Sequence, residues 1–96
     1  MAVKIFIKRQ VAADKAVQLK ELVMQLRSFS MKQPGYISGE SLKNVDRQNE
    51  YLVISTWDSL SAWKAWESSK ERAKIQDQID ALLGQKTEYE TYEYRP

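Results

Sequence analysis

Trp63 and Trp66 stand three residues apart on one helical face, with Arg72 and Gln76 one helical turn apart further along. Indoles stack on flat aromatic rings, while a guanidinium and an amide can hydrogen-bond ring oxygens. Tyr36 and Tyr51 each add an apolar ring with a hydroxyl, which suits an aromatic ligand and a protein interface equally. Structural readings stand beside these. Two tryptophans on one face pack a helix onto a sheet, Arg72 and Gln76 read as a solvated helix face, and Trp57 reads as packing at a strand end. For Trp63 and Trp66 the readings are compatible, because a pocket wall is also packing. Tyr89, Tyr92 and Tyr94 read as strand formation and dimer contact, since Glu88, Glu90 and Glu93 interrupt any surface for stacking RNA bases.

The residue types that are missing narrow the chemistry. The chain has no histidine and no cysteine, so the usual zinc sites, Ser-His dyads, thiolate nucleophiles, disulfides and a haem held by proximal histidine are excluded. A general base has to be Asp, Glu, Lys or Tyr with a displaced pKa, and the spacing puts none of these in a pocket. Net charge is only +2, with both signs interspersed, so no nucleic-acid or membrane surface is indicated. No apolar run approaches the ~20 residues of a membrane span, and Met1 to Ile5 reads as the start of a strand rather than a signal segment, so a cytoplasmic location is expected.

The elements that position these residues form one expected domain over residues 1–96. Val3, Ile5 and Ile7 alternate with Lys4, Phe6 and Lys8, the period of a strand. From Asp14, an expected N-cap, Ala16, Leu19, Leu22, Val23, Leu26 and Phe29 recur at helical spacing until Pro34-Gly35. Tyr36 to Leu42 predicts a second strand with a bulge at Gly39, and Asn44 to Asn49 a hairpin loop into the strand Tyr51–Trp57. Ser59 predicts the cap of a short helix through Trp66, and the Ser68 to Glu71 spacing a capping box for the next. That helix carries Ile75, Ile79 and Leu82, closes at Gly84, and leads into a strand from Thr87 to Tyr94. The order βαββαβ, with a broken second helix, predicts an α+β ferredoxin-like fold with a four-stranded antiparallel sheet. Helices cover one face only. Leu52, Ile54 and Thr56 face opposite to Tyr51, Val53 and Trp57, so a second copy is expected on the open face, as a homodimer.

The turn Pro34-Gly35-Tyr36, the run Ser55-Thr56-Trp57-Asp58-Ser59, and Ala62 through Ser69 together resemble the antibiotic biosynthesis monooxygenase family. The resemblance implies a dimeric α/β barrel with a pocket between helices and sheet in each subunit. It also implies activities ranging from cofactor-independent oxygenation of phenols and anthrones to quinol oxidation and haem degradation. Trp66 falls where the haem-degrading members have tryptophan. Gln76 stands where they place the iron-ligating histidine, and Ile7 where they place a pocket asparagine. Glutamine is a poor iron ligand and isoleucine donates no hydrogen bond, which puts haem degradation behind the other readings.

The expected function is therefore a cofactor-independent monooxygenase acting on a small quinol, phenol or anthrone-like aromatic, with neither metal nor other cofactor. The expected binding residues are Trp66, Trp63, Tyr36, Tyr51, Arg72, Gln76 and Ile7, with no catalytic residue assigned. The alternative is a non-catalytic dimeric module that binds a small molecule. An ionisable group beside Trp66 would favour catalysis, whereas filling by Ile7, Leu22 and Leu26 would favour structure alone.

Overall fold

A computed structural model describes all 96 residues. The strands are β1 (Val3–Gln10), β2 (Tyr36–Lys43), β3 (Glu50–Trp57) and β4 (Glu88–Glu93); the helices are α1 (Ala16–Ser30), α2 (Leu60–Glu67) and α3 (Lys70–Leu83). They form one antiparallel sheet in the order β2-β3-β1-β4. The ferredoxin-like arrangement expected from the element order is present.

Register decides which side chains meet. Ile5 lies opposite Ser55 and Thr91, and Ile7 opposite Val53 and Tyr89, so these residues share the helix-covered face. Val3, Ile5, Ile7 and Trp57 pack there with Trp63 and Trp66 of α2 into one core cluster. A second cluster, Val11, Leu19, Ile75 and Ile79, joins α1 to α3. Trp57 is fully buried, its ring 5.4 Å from Tyr36 and 6.0 Å from Trp63, and its indole N–H donates to Ser55 Oγ at 2.8 Å. A buried indole needs such an acceptor, and Ser55 lies two residues back on the same face of the strand.

The helix termini follow local chemistry, in part differently from expectation. Ser59 caps α2, accepting from the Ala62 N–H at 3.1 Å. For α3 the cap is Ser69 rather than Ser68: the extended backbone of Ser69 lets its hydroxyl accept from the Arg72 N–H at 3.2 Å. Ser68 instead ends α2, its hydroxyl donating back to the Lys64 carbonyl at 3.0 Å. Asp14 does not cap α1 either. It lies in a 3₁₀ turn over Ala13–Lys15 closed by the Ala12 carbonyl, and Lys15 reaches across to the Leu82 carbonyl at 2.8 Å near the negative end of α3. The bulge in β2 falls between Tyr36 and Ser38, not at Gly39. Gly39 serves close approach: a Cβ there would sit 2.8 Å from the Tyr36 hydroxyl oxygen.

On the open face Phe6 meets Tyr92 edge-on at 5.1 Å, and Lys4 donates to Thr56 Oγ1 at 3.2 Å. Phe6, Leu52 and Tyr92, edged by Lys4, Lys8 and Glu90, border a hollow of about 470 Å³. No helix is long and apolar enough to cross a membrane.

Candidate functional site

Two adjoining spaces lie between the helices and the covered face of the sheet. The inner one is a cavity of about 40 Å³. Of the residues expected around a ligand, Ile7, Tyr36, Trp63, Trp66, Arg72 and Gln76 all border it. Tyr51 does not. It borders the second space, a groove of about 490 Å³ between α1 and the β2-β3 hairpin, with Leu19, Met24 and Leu42. Arg9, Val23, Arg27 and Val53 line both and form the partition between them.

Each wall has a local cause. The Pro34-Gly35 turn delivers Tyr36 beside Trp57, and Ser59 starts α2 so that Trp63 and Trp66 both turn toward the sheet. Arg72 and Gln76, one turn apart on α3, are buried rather than solvated, because the face of α3 carrying them packs over β4 and the end of β1. Leu26 fills part of the cavity alongside Ile7, whereas Leu22 is not part of its wall.

The polar groups around the cavity are unusual in their balance. Arg72 donates to the Glu67 carbonyl at 3.1 Å and to the Tyr89 hydroxyl, and its guanidinium carbon lies 5.7 Å from the Trp63 ring centroid and 5.1 Å from that of Tyr89. Gln76 Nε2 donates to Asp80 Oδ1 and to Thr87 Oγ1, both at 2.9 Å. Since an ionised carboxylate only accepts, this fixes the amide with Oε1 turned away, and Oε1 is buried without a partner. Arg9 is buried at the end of β1, with Nε and Nη2 also unpartnered. Burial draws its guanidinium below the usual range, opposed by Tyr89 and Asp80. Burial likewise pushes the Tyr89 phenol up, against the pull of Arg72 and Arg9, so this hydroxyl stays protonated at neutral pH.

Four contributors escaped the sequence reading. Arg9 continues the alternation of Val3, Ile5 and Ile7 and so belongs to the covered face, a signal present in the sequence. Tyr89 is not an outer-face contact: its pairing with Ile7 turns it toward Trp63, while Tyr92, of opposite parity, lies outside against Phe6. Thr87 and Asp80, which orient Gln76, had no signal short of their tertiary meeting.

What the site can do follows from its contents. The groove can hold a flat, electron-rich molecule, and the guanidiniums of Arg9 and Arg27 at the partition, with Arg72 beyond it, can stabilise negative charge on its inner edge. No group of three or more metal-ligating side chains is gathered anywhere in the chain. Haem does not fit: histidine is absent, the Gln76 amide nitrogen is engaged by Asp80 and Thr87, and a space of about 40 Å³ beside Trp66 is far below the size of a porphyrin.

Residues 2–78 match the family described as antibiotic biosynthesis monooxygenase. Among solved structures, a conserved protein from Methanosarcina mazei Go1 is similar at TM-score 0.90 and 18% identity, covering 99% of this chain and 94% of that one. SnoaB from Streptomyces nogalater, described as a cofactor-independent oxygenase, is similar at TM-score 0.86 and 19% identity, with coverage of 99% and 94%. Rv0793 from Mycobacterium tuberculosis is similar at TM-score 0.86 and 14% identity, with coverage of 100% and 97%. At these identities the likeness concerns the fold. No curated protein matches this sequence.

Proposed function

This chain belongs to the antibiotic biosynthesis monooxygenase family, and on that premise we propose that it is a cofactor-independent monooxygenase of a small phenol, quinol or anthrone. The observation that carries the reading is the inner cavity itself: indole and phenol walls with the three guanidiniums of Arg9, Arg27 and Arg72, beside a groove wide enough for an aromatic body. The name of SnoaB, a cofactor-independent oxygenase on the same fold, supports it.

In this scheme the aromatic body lies in the groove, with its reactive edge at the partition. The inner cavity has room for a molecule the size of water or dioxygen, next to Trp63 and Trp66. An ionised anthrone or quinol is electron-rich enough to reduce dioxygen directly. For an anthrone the methylene carbon becomes a carbonyl: one oxygen atom stays on carbon, and the other leaves as water with both hydrogens. Dioxygen is the only oxidant. The protein supplies orientation, exclusion of water and cationic stabilisation of the developing anions. A cation close to a bound phenol lowers its pKa by about 1–3 units, which lessens the need for a general base.

We also propose that the 96 residues act as one domain and pair as a homodimer through the open sheet face, where Phe6, Leu52 and Tyr92 are otherwise left to solvent. A non-catalytic binding module remains the alternative; it is favoured by the absence of a carboxylate base from the cavity wall.

Oxygen consumption with anthrone and quinol substrates, without added metal or flavin, is the test. Turnover that falls in Trp66→Phe while the fold is retained supports the oxygenase. Binding without oxygen uptake leaves the module.

A further inference from the structure

Arg9 is 4% exposed, yet Nε and Nη2 of its guanidinium have no hydrogen-bond partner. The ion pairs of the chain, Arg47 with Glu50, Lys64 with Glu67 and Arg95 with Glu93, all lie elsewhere. Of the groups that face it only Asp80 carries negative charge, and it attracts Arg9 through space without pairing with it. Arg72 and Arg27, from α3 and α1, are cations on the same cavity wall. Tyr89, from β4, is a neutral phenol engaged by Arg72, and Asp80 already accepts from Gln76 at 2.9 Å and Thr87 at 3.1 Å through the same oxygen. Arginine cannot shed its proton to relieve the mismatch.

A buried, unpaired guanidinium is destabilising unless something brings the missing negative charge. The partition position of Arg9 says where that charge enters. Its side chain borders both the inner cavity and the groove of about 490 Å³, whose other walls include Leu19, Val23, Met24, Leu42 and Tyr51 with two further cations, the exposed Lys20 and the half-buried Arg27, the latter donating to Ser41 Oγ. A trough with apolar walls, a buried unpaired cation at its inner end and two more cations along it matches a ligand with an apolar body and one anionic end.

We propose that the groove beneath α1 binds an aromatic anion, with Arg9 as the counter-ion of its ionised oxygen. This rests on the reading of the groove as the substrate site and adds to it a charge state and a residue. Arg9 borders the groove as well as the inner cavity, so the anionic oxygen reaches it from the groove side while the ring stays between α1 and the hairpin and the inner cavity is left to dioxygen. Both carboxylates and phenolates carry the required oxygen.

The test compares naphthoate with its uncharged isostere naphthamide by quenching of tryptophan fluorescence. One charge-assisted hydrogen bond predicts that naphthoate binds at least about tenfold more tightly. Arg9→Met should abolish that difference while leaving the unfolding midpoint of the free protein unchanged or raised, and Arg9→Lys should keep part of it. The comparison of acid and amide in the native chain tests whether the groove takes an anion at all, and Arg27→Met, on the same partition, separates the two arginines: loss of the preference in Arg27→Met with its retention in Arg9→Met overturns the role of Arg9. Nitrophenol distinguishes the two sources: enhanced phenolate absorbance on binding extends the site to phenols, and its absence confines it to carboxylates; the proposal stands in both cases. Equal affinities for naphthoate and naphthamide overturn the role of Arg9 while leaving the aromatic site. Binding of neither overturns the aromatic site and this proposal together.

Discussion

The Arg72 guanidinium lies over the face of Trp63, 5.7 Å from the ring centroid, and donates back to the Glu67 carbonyl at 3.1 Å. One side chain thereby ties the C-terminal end of α2 to the first turn of α3 and presses the indole against the sheet. A cation held this way is both scaffold and wall of the cavity.

Replacing it tests that double role. Arg72→Met should destabilise the protein by about 1–3 kcal/mol, through loss of the charged hydrogen bonds and the cation–π contact, with the Tyr89 hydroxyl left unengaged. Urea unfolding measures the loss, and tryptophan emission should shift because Trp63 loses its covering charge. An unchanged midpoint would show that the contact is incidental.

Gly35 and Gly84 both have positive φ, at 88° and 70°, but differ in what surrounds them. A Cβ at Gly35 would meet Ala62 Cβ and Asp58 Oδ1 at 2.5 Å, whereas one at Gly84 would meet nothing within 4 Å. Gly84→Ala should cost about 1–2 kcal/mol for the left-handed backbone alone. Gly35→Ala should cost that plus about 1–3 kcal/mol of overpacking. Thermal unfolding of the two variants side by side should show the larger loss at Gly35.

The β2-β3 loop carries the clearest pH signature. Arg47 bonds Glu50 through Nε at 3.0 Å and Nη2 at 2.8 Å, and Asn44 adds a donor at 3.0 Å, holding the Glu50 carboxyl down to about 2. Because the folded pKa lies below the unfolded value of about 4.3, the stabilisation is present above that value and is lost as pH falls toward about 2. A side-chain NMR titration should place Glu50 near about 2, and Arg47→Ala should return it toward the ordinary carboxylate range.

Assembly is tested on the opposite face. Phe6 packs on Tyr92 there at 5.1 Å, next to Leu52 and on the opposite face of the sheet from the core residues Ile5 and Ile7. Phe6→Glu should convert the proposed dimer to a folded monomer in sedimentation, because burying an unpaired carboxylate in a sheet-on-sheet interface is strongly unfavourable. A native chain that sediments as a monomer would remove the dimer from the account.

Periodicity, with the caps and glycine stops, determined the strands, the helices and their apolar faces. Val3, Ile5 and Ile7 specify β1 and its covered side, and the Ile75-Ile79 spacing specifies the stripe of α3, because an apolar face has to be buried wherever it lands. The same arithmetic placed Trp63 and Trp66 against the sheet. It also carries Arg9 and Tyr89 to the inner face, although residue type assigns Arg9 no role and Tyr89, among glutamates, reads as a strand former and dimer contact. Only the tertiary structure decided their environment. Whether a polar side chain is buried depends on which distant groups arrive to enclose it, here α3 with Asp80 and Gln76 closing over the end of β1 and the start of β4. That enclosure is set by packing across the chain, so no local pattern records the unpaired guanidinium on which the site turns.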